Sequence, residues 1–237
     1  MKTYFMTYGD ELYRNQIQRL TEMASLSGFF HEVRAFGPDD LEPEFRWEFN
    51  HILNYHRGGG YWIWKPYLVK RMLNTIHEGD VLVYCDAGCE INQDAKKRFR
   101  EYIEMICASP TGSLAFRLPH REVEYTKQEV FSYFSSPAEV IESEQLMATV
   151  FFLRKCGHTS FLAETWFHVL EDKDSLFTDE LNEKLQDRRF IAHRHDQSVF
   201  SLIRKQYGSE IIPDETFFND FSREGSPYPI WATRKRG

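Results

Sequence analysis

The sequence predicts an α/β protein: a single domain on a mostly parallel central sheet flanked by helices. Three observations carry that expectation. Short apolar runs alternate along the chain with longer segments of helical period. One run, Val81-Leu-Val-Tyr84, contains nothing polar, as a strand buried on both faces in the middle of a parallel sheet requires. No internal repeat, low-complexity stretch or linker divides the 237 residues, a length that one embellished sheet accommodates.

Residues 4–8 read as the first strand, ended by Gly9-Asp10. Asp10 can cap a helix over residues 11–24, where Leu12, Ile17, Leu20 and Met23 fall near helical spacing. Residues 29–36 form the second strand, closed by the turn signal Gly37-Pro38-Asp39-Asp40. A helix over residues 44–55 is broken at Arg57-Gly58-Gly59-Gly60. Residues 64–76 resume as helix, with Pro66 in the first turn. The strand ending at Asp86 precedes a helix over 93–107. Residues 113–117 and 149–153 read as strands, 126–134 as a short helix and 160–170 as a longer one. Asp196 opens a last amphipathic helix, its acid at the positive end of the dipole.

Composition narrows the function classes. A net charge of -7 argues against a general nucleic-acid binder. No run approaches the ~20 apolar residues needed to span a bilayer, and the first ten residues are too short an apolar stretch for a signal peptide. Cys85, Cys89, Cys107 and Cys156 lack a metal-ligand spacing and read as buried free thiols in a reducing compartment. The expectation is a cytoplasmic protein.

Four places carry chemistry. Asp86 stands at a strand's carboxyl end, where open α/β sheets hold ligands, and Ala87 and Gly88 leave room for a bulky anion. A carboxylate there suits a divalent metal or sugar hydroxyls; an ordinary turn-forming Asp is the plainer reading. Thr7-Tyr8-Gly9 can form a base-and-ribose pocket, with Tyr8 stacking and Gly9 allowing close approach. In Gly58-Gly-Gly-Tyr-Trp-Ile-Trp-Lys65-Pro66, Lys65 opposes the dipole of the helix it begins, which an anion bound there would explain. The alternative is that Trp62 and Trp64 anchor the core while Lys65 snorkels. In His193-Arg-His195-Asp196-Gln197, the Asp-Gln pair can bracket sugar hydroxyls or simply cap a helix; the histidines read as ligands or as satisfied structural groups. Arg234-Lys235-Arg236 is a basic flap or a frayed end, and Tyr228 and Trp231 close over a ligand or pin the C-terminus.

The order of these blocks resembles nucleotide-sugar glycosyltransferases of the GT-A fold, notably small bacterial and large-DNA-virus members acting on surface or capsid glycans. Residues 60–73 and Gly79-Asp-Val-Leu-Val-Tyr-Cys-Asp-Ala-Gly-Cys-Glu-Ile-Asn92 are similar to that family's donor-site block. Glu124-Tyr-Thr-Lys127, Gln145 to Lys155 and His195-Asp-Gln-Ser-Val-Phe-Ser-Leu202 extend the likeness over roughly residues 3–208. The resemblance implies a Rossmann-like nucleotide-binding half, about 1–110, and a sugar and acceptor half, about 111–237, ending in a C-terminal flap. It assigns nucleotide contacts to Thr7 and Tyr8, donor phosphate or ribose contacts to Lys65 and Arg71, and the reaction centre to Asp196 and Gln197. Asp86 matches the first acid of the Asp-x-Asp motif, implying Mn2+ or Mg2+ on the donor diphosphate. The second acid is Gly88 here, Glu90 is the nearest replacement, and no His follows His195.

The implied activity is transfer of a hexosyl or pentosyl group from a nucleotide diphosphate sugar, UDP favoured, to a glycan hydroxyl. Asp196 would act as base if the reaction inverts, or steady an oxocarbenium-like state if it retains. Partners are then the donor and a glycan acceptor, in the host cytoplasm for a viral member. The alternative is a catalytically inactive glycan-binding or scaffold protein on the same fold.

Overall fold

The computed structural model describes residues 1–234. Its main sheet contains β1 (Thr3–Tyr8), β2 (Glu32–Phe36), β3 (Val81–Cys85), β5 (Ser113–Arg121), β6 (Glu144–Arg154) and β7 (Glu210–Pro213), in the order β2-β1-β3-β6-β5-β7. The pairings make β6 antiparallel to both neighbours and all others parallel, so one strand of six runs backwards. Two short strands, β4 (Glu90–Ile91) and β8 (Ile230–Trp231), pair separately and return the C-terminal segment to the end of β3.

β3 is buried along its whole length, as its unbroken apolar run requires. Each side of the sheet carries its own apolar cluster. Tyr4, Met6, Leu82 and Tyr84 face one, with the helices Trp64–Thr75, Gly157–Asp172 and His195–Tyr207; Phe5, Val81 and Val83 face the other, with Arg14–Ser27 and Lys96–Ala108. Burying each such side chain contributes about 1.5–3 kcal/mol, which fixes the strand faces. β1 feeds β2 on one side and β3 on the other, so a crevice opens where the chain direction switches, beyond Tyr8 and Cys85. No helix among the described residues is long and apolar enough to cross a membrane.

Several boundaries differ from the sequence expectation for local reasons. Asp10 accepts from Leu12 N, but the first turn it caps is a 3-10 turn, Glu11–Tyr13, before the helix Arg14–Ser27 begins. The helix expected over 44–55 is two pieces, Pro43–Glu48 and Asn50–Leu53, with Phe49 between them. β6 is eleven residues rather than five, because its first half pairs with the irregular far end of β5. Cys107 is exposed, not buried; Cys85 and Cys89 are buried as expected.

The glycine break runs further than its glycines. Gly58, Gly59, Gly60, Tyr61 and Trp62 all have positive φ, from 53° to 90°. Glycine occupies that region freely, whereas each bulky L-residue there costs about 1–2 kcal/mol. Compensation comes from packing: Tyr61 and Trp62 lie against the His195 ring, with centroids 4.8 and 5.5 Å away, and Trp64 Nε1 donates to Gly58 O at 3.0 Å. A methyl group on Gly60 would stand 2.7 Å from Leu53 Cα and 3.0 Å from Ile52 O. Gly60→Ala is therefore expected to destabilise the fold by about 1–3 kcal/mol in urea unfolding. Wild-type stability in that variant would contradict a tightly held turn.

Candidate active site

At the sheet's switch point lies a cavity of about 440 Å³, lined by residues that are far apart in the chain. Tyr8 and Gly9 come from the end of β1, Asp86, Ala87 and Gly88 from the turn after β3, and Asp196 and Gln197 from the last long helix. Trp62 and Lys65 enter from the left-handed turn and the helix it starts. Ala148 and Thr149 of the reversed strand β6 complete one wall, and Asp86 N donates to Thr149 O at 2.9 Å.

Lys65 is the centre of the cluster. Its Nζ lies 2.7 Å from Asp196 Oδ2 and 3.1 Å from Asp86 Oδ1, and its side chain is only 2% exposed. It also donates to Ala148 O at 3.3 Å. The Tyr84 hydroxyl donates to Asp86 Oδ1 at 2.6 Å. Burial pushes the Lys65 amine down, but the two carboxylates more than reverse that and hold it protonated above its usual range. Burial pushes the Asp196 carboxyl up to about 6, against the pull of Lys65. The anion that the Lys65 helix start calls for is thus supplied first by the protein's own carboxylates.

The remaining polar groups are tied in. Gln197 Oε1 accepts from Ala148 N at 3.1 Å, and its Nε2 donates to Gln145 Oε1 at 2.6 Å. Gln145 Nε2 in turn reaches the fully buried Glu122 at 3.1 Å, so the amide that faces the cavity is held from behind. His193 Nε2 lies 2.8 Å from Leu176 O and His195 Nδ1 2.8 Å from Phe177 O. Burial lowers both imidazoles, His195 to about 4, so these two are neutral structural groups that fix the loop before Asp196.

No protein-family model matches the sequence, and no curated protein matches it significantly. The structure is similar to solved ones. A glycosyltransferase involved in the glycosylation of the major capsid of PBCV-1 superposes with a TM-score of 0.50 at 9% identity, over 98% of this chain and 92% of that one. The chain has a GT-A-like glycosyltransferase fold. Mouse xyloside xylosyltransferase 1, in its apo form, gives a TM-score of 0.47 at 13% identity, with 97% of each chain covered. The glycosyltransferase GlyE of Streptococcus pneumoniae TIGR4 gives 0.46 at 14% identity, over 91% of this chain and 46% of that one.

Within the GT-A-like fold, eight of the ten expected site residues converge: Tyr8, Gly9, Lys65, Asp86, Ala87, Gly88, Asp196 and Gln197 line the one cavity. Two do not. Thr7 is fully buried and absent from the lining, because adjacent strand residues point to opposite faces and Tyr8 takes the cavity side. Arg71 is exposed on its helix and donates to Asp40 O at 2.7 Å, nearly two turns beyond Lys65. Gly9 lines the cavity and also meets the next turn closely: a Cβ there would sit 2.8 Å from Tyr13 Cβ, so packing favours the glycine as well. Tyr8 stacks on Trp64 at 3.7 Å, which occupies one face of its ring.

The donor set for a metal was also put to the geometry. Among the described residues no group of three His, Cys, Asp or Glu side chains gathers to hold an ion. One Asp86 oxygen already accepts from Tyr84 and pairs with Lys65, and Glu90 sits on β4, 4.0 Å from Arg19 and outside the cavity lining. A divalent ion on a nucleotide diphosphate takes one or two protein carboxylates beside phosphate oxygens and water. Here Asp86 and Asp196 are both paired with Lys65, and Asp10, the third acid of the lining, caps the turn after β1, so the residues present offer such an ion no free pair of acids.

The C-terminal segment closes the site. Thr233 Oγ1 donates to Gly88 O at 3.0 Å, placing Ala232 and Arg234 in the cavity wall. Tyr228 and Trp231 do not line it: Tyr228 stacks on Phe218, and Trp231 Nε1 donates to Gly225 O, so both pin the chain end. Lys235 and Arg236 lie outside the described residues. Arg194, to which the sequence pattern gives no role, lines the cavity two residues before Asp196.

Proposed function

We propose that the protein transfers a sugar from a nucleotide diphosphate sugar, a UDP-sugar in the first instance, to a glycan hydroxyl. The observation that carries this reading is the Asp86–Lys65–Asp196 cluster at a crevice at the sheet's switch point, with Lys65 and Asp196 buried and Asp86 half-buried. A protein that only binds glycans has no need of a carboxylate and an ammonium drawn out of water, where each charge is expensive to keep. The cavity also lies within the roughly 300–1,000 Å³ range of small-ligand sites.

In this reading the bond between the anomeric carbon and the β-phosphate oxygen breaks, and its electron pair leaves with the nucleoside diphosphate. The acceptor hydroxyl oxygen bonds to the anomeric carbon, and its proton passes to the departing diphosphate or to solvent water. Asp196 supplies negative charge toward the positive charge that develops on the sugar. With Oδ2 already held by Lys65 at 2.7 Å, it is better placed as a fixed charge than as a mobile proton acceptor. Lys65 keeps that charge in place, and Asp86 with Gly88 borders the donor. The glycan acceptor enters from the open side.

The test is release of nucleoside diphosphate from a panel of UDP- and GDP-sugars, with and without added glycans. Turnover of at least one donor supports the reading, and silence across the panel with no nucleotide bound contradicts it. A pH profile adds a signature. Asp196 must be ionised, so kcat/KM is expected to fall about tenfold per unit below a midpoint near 6. A profile flat from pH 5 to 8 would remove Asp196 from the charge-stabilising role.

A further inference from the structure

We infer that the donor diphosphate is gripped by a pair of arginines, Arg194 and Arg234, in place of a divalent cation. This rests on the nucleotide-sugar reading above and specifies how the charge of the leaving group is met. Both side chains line the cavity. They come from different parts of the chain: Arg194 stands just before the helix that carries Asp196, and Arg234 follows Thr233, whose hydroxyl is bonded to Gly88 O. The place where a second acid would hold a metal is therefore glycine, covered by a segment that ends in a cation.

Neither guanidinium forms an ion pair with any carboxylate among the described residues. Each rests on an aromatic ring instead: Arg194 lies 3.8 Å from the centroid of Tyr125, and Arg234 5.6 Å from that of Phe217. The other cations of the cavity are already neutralised, Lys65 by Asp86 and Asp196, and Arg57 by Asp179 at 3.0 Å. Two like charges kept on ring faces beside one cavity repel each other, and a bound polyanion removes that cost. A guanidinium matches phosphate oxygens in bidentate fashion, which suits a diphosphate better than a single carboxylate would. The acids at the same site are already engaged, Asp86 and Asp196 with Lys65, Asp86 also with Tyr84, and Asp10 with Leu12 N.

The experiment is calorimetric titration of UDP, GDP and the two nucleosides, in EDTA and again in manganese. In EDTA, the diphosphate is expected to bind at least about 100-fold more tightly than its nucleoside, and manganese to change that affinity by less than about threefold. Arg194→Ala and Arg234→Ala should each weaken diphosphate binding by about 10–100-fold and leave nucleoside binding unchanged. Arg234 is exposed, so its variant keeps the test open if Arg194→Ala folds poorly. Binding that appears only with manganese overturns the inference and leaves the transferase reading standing. Wild-type diphosphate affinity in both arginine variants also overturns it and assigns the pair to another anion, such as an acidic acceptor. No nucleotide binding in either condition removes the inference together with the reading beneath it.

Discussion

Asp196→Asn is expected to lower donor turnover by about 10²–10³-fold while changing donor affinity by less than about threefold. The carboxylate is 5% exposed and held by Lys65, so its negative charge is available in one fixed direction without reorganisation. Asn keeps the shape and an acceptor oxygen for the ammonium but removes that charge. The loss should therefore fall on kcat rather than KM, and single-turnover kinetics separate the two. Wild-type turnover in this variant would take Asp196 out of the mechanism; equal losses in binding and turnover would make it a binding residue.

Lys65→Met gives the second large effect, this time on the fold as well. Removing the ammonium leaves Asp86 and Asp196 facing each other with no cation between them, a loss of about 3–5 kcal/mol. In a chain of this size each kcal/mol moves the unfolding midpoint by about 2–4 °C. The sign of the pH dependence follows. Without Lys65, the Asp196 carboxyl rises further above its already raised value of about 6. A folded-state pKa above the unfolded one favours the fold at low pH, and that advantage is lost as pH rises through it. The gap between variant and wild type should then narrow on going from pH 8 to pH 5. A loss of stability equal at both pH values would mean that Lys65 contributes packing alone.

Much of this architecture is legible in the sequence where one force dominates. Val81 to Cys85 reads correctly because a strand buried on both faces admits no polar residue, and Asp86 then falls at its end. Asp196 and Gln197 fall in the first turn of a helix as expected, because that helix has a clear apolar period. What is not legible depends on partners distant in the chain. The reversal of β6 is set by tertiary connection, since an apolar strand looks the same in either direction. Lys65 announces an unmet anion, but only the fold shows that Asp86 and Asp196 meet it.

Thr7 and Arg71 stay outside the cavity lining for simpler geometric reasons, a strand face and nearly two turns of helix. The positive φ of Tyr61 and Trp62 breaks local preference and is sustained by contact with His195, some 130 residues on. β4 and β8 have two residues each, too short for any period, yet they bring Thr233 to Gly88 and Arg234 to the cavity wall. On the cationic side, Arg234 is legible as part of a basic flap, whereas Arg194 is not.

The measurement that bears most directly on the central claim is a crystal structure of Asp196→Asn soaked with an intact nucleotide sugar. The account predicts the donor in the switch-point cavity, its diphosphate near Gly88 and its anomeric carbon within contact distance of residue 196. A donor seated elsewhere, or one whose anomeric carbon lies far from that residue, would contradict the assignment of this cavity to glycosyl transfer.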